Sequence, residues 1–193
     1  MLSFSSILKA LGFKTDLLPR RAYWRGSTSI TRGQVAALPL SMGNATYNSI
    51  DPENDNYWGR NALELTADTN AHVNYCLVVA LGTIQPGAIG QFAIAGELDV
   101  YVGVGQNGGS DLTAAAGQVL TSFKNINTNV PGTYADRTLW TRPAVGTGSH
   151  DDINAPAAVF GVVLETPPAS ASPALKRCAF NGMGILHMRG GGA

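Results

Sequence analysis

A mainly β body preceded by an extended N-terminal arm is predicted by three features of the sequence. From Phe92 to Val104 the apolar residues Phe92, Ile94, Leu98, Val100, Val102 and Val104 fall on even positions, with Ala93, Ala95, Glu97, Asp99 and Tyr101 between them. That period of two marks a half-buried strand. The 193 residues also include 23 glycines and 10 prolines but only 13% charged side chains, a balance that favours short strands joined by turns over helices. Finally, residues 1–32 carry Lys9, Lys14, Arg20, Arg21, Arg25 and Arg32 against Asp16 alone, which is +5 in a chain of net charge zero and leaves −5 on the remainder.

The arm comes first in the chain. Leu2, Phe4, Ile7, Leu8 and Leu11 have near-helical spacing, so residues 1–18 are expected to form a short amphipathic helix, ended by Gly12 or by Leu18 ahead of Pro19. So short a helix is marginal alone, and its stripe needs the body, a partner or a membrane surface to lie on. Lys9 and Lys14 interrupt the apolar run and no small-residue cleavage site follows, so a signal peptide is not expected. No apolar run approaches the length that spans a bilayer.

Strands are expected at 23–30, 34–40, 62–66, 72–81, 89–95, 97–104, 117–123, 137–142, 158–165 and 176–188, separated by turn-rich segments. Polar loops fill 41–57, 125–136 and 146–156. Gln85-Pro86-Gly87 has the residues of a type II turn, with Pro at its first corner and Gly at its second. Phe92 to Val104 would extend roughly 43 Å at about 3.3 Å per residue, long for one strand, so a bend or bulge is expected at Gly96. Pro167 to Pro173 is a low-complexity connector and 190–193 a glycine-rich tail. The chain therefore divides into an arm at 1–22, a β-rich body at 23–166, and a connector, final strand and tail at 167–193. No internal repeat is found.

Little in this sequence points to chemistry. Ser149-His150-Asp151 holds the residue types of a catalytic triad, but consecutive residues cannot converge as a triad requires. Asp68 and His72 would share a helix face, yet the segment is expected to be a strand. Asp51, Glu53 and Asp55 resemble the start of a calcium loop without its glycine or its bidentate Glu. Gly105 to Gly109 follows a strand as a phosphate loop does, but lacks the Lys-Ser/Thr that completes one and is expected to be a hairpin loop. Cys76 and Cys178 have no metal-ligand spacing and are expected to be free, buried thiols, a disulfide between them having no support in the sequence. Trp24, Trp58 and Trp140 each stand near an arginine (Arg25, Arg60, Arg142), as interface or stacking aromatics do, although packing in a core or loop is the simpler expectation. No catalytic residue, metal or cofactor is assigned.

The stretch from Gly82 to Val100 resembles the central motif of the capsid decoration, or cement, proteins of tailed bacteriophages, through Gly82, Ile84, Gly87, Gly90, Phe92, Ile94, Gly96, Asp99 and Val100. Ser29-Ile30-Thr31-Arg32-Gly33-Gln34-Val35-Ala36 is similar to an early strand-turn-strand of that family, and Ala115-Ala116-Gly117-Gln118-Val119-Leu120 to a later strand. The resemblance covers roughly residues 27–123, and the arm and everything after 124 depart from it. It implies a small β-barrel, β-tulip-like or sandwich body on the outside of an icosahedral shell, with no enzymatic activity. The partners it implies are the major capsid protein and further copies of the chain, a trimer being favoured by symmetry, with no role for nucleic acid or membrane. Such a protein is made in the host bacterial cytoplasm and works on the outer capsid surface of the virion. Lys9, Lys14, Arg20, Arg21, Arg25 and Arg32 are then the expected docking residues, and removing 1–32 is expected to leave a folded body. The rival expectations are a carbohydrate-binding module using the tryptophans, a tail or head-tail component of the virion, and a hydrolase using His72 or His150.

Overall fold

Alternating side chains build strands here, and the strands close on themselves. The computed structural model describes residues 17–39, 61–64, 75–107, 110–111, 113–122, 137–142, 158–169 and 172–186. Its strands are β1 (Leu18–Trp24), β2 (Val35–Pro39), β3 (Asn61–Ala62), β4 (Tyr75–Ala80), β5 (Ile89–Val104), β6 (Gln106–Asn107), β7 (Ser110–Asp111), β8 (Val119–Thr121), β9 (Leu139–Arg142), β10 (Ala158–Val163) and β11 (Ala174–Leu186). The fold is mainly β with a closed five-strand barrel and additional strands, and no helix occurs among the described residues. The expected arm helix, Lys9, Lys14, Trp58, Asp68, His72, the 51–55 acidic loop, Ser149 to Asp151 and the glycine-rich tail lie outside the described residues.

The barrel runs β5, β11, β10, β8, β9 and back to β5, with only the β5–β9 contact parallel. Closure removes the free edges that an open sheet would expose. The additional strands make another ring of the same design; in chain order it is the first ring and the barrel is the second. β5 pairs β1, β1 pairs β3 in parallel, β3 reaches β2 through the Ala37–Leu63 bridge, β2 pairs β4, and β4 returns to β5. Strand order and direction match around both rings: β1, β3, β2, β4 and the first half of β5 correspond to the second half of β5, then β9, β8, β10 and β11. β5 is thus shared by both rings, which is why it runs for 16 residues.

One turn device recurs in both rings. Gly33 donates to Ala80 O while Ala80 N–H donates to Gln34 O, both at 2.9 Å. Gly117 and Val163 repeat the exchange through Gln118 O at 2.8 and 3.0 Å, and Gly87 and Trp24 repeat it through Ala88 O at 2.9 Å. All three glycines have positive φ (85°, 84° and 77°), which a type II corner requires. The 85–88 turn expected from the sequence is therefore present, closed by Ala88 N–H on Gln85 O. Contrary to expectation, the chain does carry an internal repeat, one of backbone pairing more than of residue type.

Each ring has its own core. The first is filled by Ala22, Trp24, Ile30, Ala36, Leu38, Ala62, Cys76, Val78, Ala80, Ile84 and Phe92. The second holds Leu98, Val100, Val102, Leu120, Leu139, Phe160, Val163, Cys178 and Phe180, and the outward residues of the first ring, Val35, Ala37, Leu77, Val79 and Ala93, pack into it as well. The even face of β5 is buried from Gly96 to Val104, as the period implies, but upstream the alternation breaks: Phe92 and its neighbour Ala93 are both buried, in different cores, while Gly90 and Ile94 are half-buried. Between Phe92 and Leu98 the strand bends: Gly96 sits at φ 131°, and the β1–β5 register slips between Leu18 and Pro19. The segments expected at 89–95 and 97–104 are one bent strand. A further weld comes from Gly182 of β11, where a Cβ would overlap the Leu77 carbonyl of β4.

Two expectations are corrected by β1. Residues 18–22 belong to the wall of the first ring and not to an arm, because Leu18–Trp24 pairs with β5 along its length. Removing 1–32 would delete that strand and its buried Trp24, so it cannot leave the first ring closed. The short β6–β7 pair joins Gln106 to Asp111 and Asn107 to Ser110, the hairpin expected at Gly105 to Gly109.

Candidate docking surface

The basic residues assigned to docking do not act as one group. Along β1, Ala22 and Trp24 point into the first ring, so the alternate residues Arg21 and Tyr23 point out. Arg21 is exposed and Arg25, just past the strand, stacks on the Tyr23 ring at 4.7 Å and donates to Asn61 Oδ1 at 3.4 Å. Arg20 falls on the inward side, close enough to Cys76 to favour its thiolate. Arg32 lies on the Thr31–Gln34 turn and is held by Asp99 at 2.9 Å.

The structure thus brings Arg21, Tyr23 and Arg25 together on one wall, beside the 61%-exposed Ile89 that pairs with Tyr23. Neither Leu18–Trp24 nor its partner stretch Ile89–Ala93 contains an acidic residue, so this wall is basic and partly apolar. The matching wall of the second ring differs: there Glu97 and Asp99 are paired with Arg177 and Arg32, and the charges balance. An open groove of about 440 Å³ lies next to Ile89, lined from Leu81 to Gln85 and from Ala88 to Gln91. It contains no titratable side chain, so it can offer amide, hydroxyl and apolar contacts but no acid-base chemistry.

The candidate aromatics fare differently. Trp24 is fully buried, its indole N–H donating to Thr28 O at 2.8 Å, and Trp140 is 3% exposed in the wall of the second ring. Both therefore pack the body, and neither is presented as a stacking platform.

The partner of Trp24 is not its neighbour Arg25 but Arg137, whose guanidinium lies 5.0 Å from the ring centre. Arg137 stands at positive φ (50°) just before β9 of the second ring and reaches into the first. It donates to Ser29 O (2.6 Å), Thr28 Oγ1 (2.7 Å) and Glu64 Oε1 (2.7 Å), while its own carbonyl accepts Val35 N–H (2.8 Å). Sequence reasoning missed this residue, since nothing near Asp136-Arg137 distinguishes it from other polar loop positions. Partial burial works against the charge on Glu64, but the Ser27 N–H and Arg137 outweigh it and hold the carboxyl below its usual 4.5. The stabilisation this gives is complete above the unfolded pKa and is lost as pH falls through the lower folded value. Glu64→Gln is therefore expected to flatten the fall in stability between about pH 5 and pH 3, checked by urea midpoints measured across that range.

Among the described residues no cluster of His, Cys, Asp and Glu could hold a metal ion, and no helix is long and apolar enough to cross a membrane. Cys76 and Cys178 are free and lie in different cores. Burial pushes their thiols up to about 11 and about 12, so both are poor nucleophiles at neutral pH. No known family pattern matches the chain, and no curated protein or solved structure shows a significant similarity to it.

Proposed function

We propose that this chain is a structural virion protein that binds the outer surface of an icosahedral phage capsid and clamps neighbouring major capsid subunits. The observation that carries the reading is the basic wall of Arg21, Tyr23 and Arg25 on the strand through which residues 1–16 join the body. A wall whose two strands carry no acidic side chain suits an acidic protein surface, to which residues 1–16 bring Lys9 and Lys14. The resemblance of 27–123 to decoration proteins supports the same reading, as does a body built around a closed five-strand barrel. A protein that binds only assembled subunits stabilises the shell by linkage, and symmetry multiplies weak contacts into strong retention. It acts as a homo-oligomer, a trimer matching three-fold positions of the shell, and has no enzymatic role. Burial of Trp24 and Trp140 weighs against a carbohydrate-binding role for them.

The test is cryo-electron microscopy of bare, DNA-filled capsids mixed with the purified protein. Regular density at symmetry-related outer sites is expected. Occupancy should fall at least tenfold for Arg21→Glu/Arg25→Glu, and for a chain lacking residues 1–16, with binding weakened by salt as exposed charges are screened. Bare shells in the presence of folded wild-type protein would overturn the reading.

A further inference from the structure

The two rings meet through a defined pair of surfaces. The first ring contributes the Thr31–Gln34 turn and the register pair Val35 and Val79, both fully buried. The second contributes the β5–β11 wall, where Tyr101 N–H donates to Gly33 O at 2.8 Å, Asp99 pairs with Arg32, and a Cβ on Gly33 would overlap the side chain of Leu175.

Because the rings repeat, each of these surfaces has a counterpart. On the second ring, Val119 and Val162 pair as Val35 and Val79 do, and Gly117 occupies the turn position of Gly33. On the first ring, Tyr23 and Ile89 pair as Tyr101 and Leu175 do. Among the described residues neither counterpart is covered. Val119 and Val162 are only half-buried where Val35 and Val79 are fully buried, Ala115, Ala116 and Gly117 are exposed, a Cβ on Gly117 would meet nothing, and Ile89 is 61% exposed against 42% for Leu175. A repeat architecture whose end faces keep the shape of its internal interface needs either a cap or another unit there. The described residues thus present, on each side, one half of an interface whose complete form they already contain.

We propose that a second copy of this chain fills these surfaces head to tail, the Gly117 turn and the Val119–Val162 face of one copy seating on the Tyr23–Ile89 wall of the next. The contact is heterologous, so identical copies close into a ring when the rotation per step allows it. Its centre is apolar, Val119, Val162 and Ala116 meeting Ile89, and it lacks the Arg32–Asp99 ion pair, Ala116 and Arg21 standing at those two positions. It rests on the ring duplication and not on capsid docking; the two readings share the Tyr23 wall, and sedimentation in the absence of capsids tests this one alone.

Sedimentation velocity of the full chain at low and high salt tests it. The wild type is expected to sediment as an oligomer whose mass resists salt, and Ile89→Asp or Ala116→Asp to reduce it to the 20.1 kDa of one chain that still unfolds cooperatively. A mixture of Ile89→Cys and Ala116→Cys proteins should be joined by a short bis-maleimide, while neither joins to itself, the two native thiols being buried. A monomeric wild type, as when residues 1–16 cover Ile89 instead, overturns the proposal. So does an oligomer indifferent to both substitutions, or one in which a single cysteine variant links to itself.

Discussion

Trp24→Ala is expected to destabilise the protein by about 3–5 kcal/mol, the range for truncating a fully buried tryptophan. Against a typical net stability of about 5–15 kcal/mol, that is enough to open the first ring in a substantial fraction of molecules. The indole is the largest side chain in a core otherwise lined by Ala22, Ala36, Ala62 and Ala80, with Ile30, Leu38, Cys76, Val78, Ile84 and Phe92 completing it. Small neighbours on closed strands cannot move inward to fill the void, so both transfer and cavity terms apply in full. Three further contacts go with the ring: the bond to Thr28 O, the guanidinium of Arg137, and the close approach of Gly26, where a Cβ would overlap the indole. Trp24→Phe keeps most of the volume and should cost clearly less. Urea unfolding of both variants checks the order, and a loss under about 1 kcal/mol for the alanine variant would mean that the indole does not hold this core together.

Strand positions were largely legible because alternation is a local signal. The even residues of β5 from Gly96 to Val104 are buried as their period implies, the turn at 85–88 follows from Pro86 and Gly87, and Gly96 takes a positive φ, while the bulge in the strand falls two residues earlier at Ile94. What a period cannot tell is which core a face meets, and so the sharing of β5 between two rings stayed hidden. The duplication left one clear trace, Gly-Gln-Val at both 33–35 and 117–119. Elsewhere the rings fill their interiors with unlike residues: Trp24 stands where Val102 does, and Ala80 where Val163 does, so side-chain identity does not repeat while backbone pairing does. The arm is shorter than the sequence suggests because the first strand starts at Leu18 and not at Tyr23, Pro19 standing near its beginning. Proline tolerates irregular positions at strand starts, and the register slip between Leu18 and Pro19 is such a place. Pairing each tryptophan with the arginine beside it failed for Trp24 for a related reason: adjacent strand residues face opposite sides, so Trp24 needed a cation from a distant segment.

That cation gives the second large effect expected. Arg137→Met should cost about 2–4 kcal/mol, because it keeps the volume but strips three acceptors of their donor. The upper figure for breaking a buried ion pair does not apply, since the Glu64 side chain is 37% exposed and water can take up part of its charge. Ser29 O and Thr28 Oγ1 still lose a charged partner, and the stacking on Trp24 goes with it. Arg137→Lys should recover only part of the loss, because a single ammonium cannot reproduce a planar fork reaching three acceptors at once. A cycle combining Arg137→Met with Glu64→Gln isolates the pair, with a coupling of roughly 0.5–1.5 kcal/mol expected for a half-exposed partner. The wider consequence concerns the join between the rings. Arg137 begins a strand of the second ring and its side chain pins the 27–29 segment of the first, so its loss should speed amide exchange at Ser27, whose N–H bonds Glu64 at 3.0 Å. Exchange at Val163, which bonds within the second ring, should stay slow. Equal acceleration at both sites would mean that Arg137 supports global stability alone, and that the rings are held together by Val35, Val79 and the shared β5.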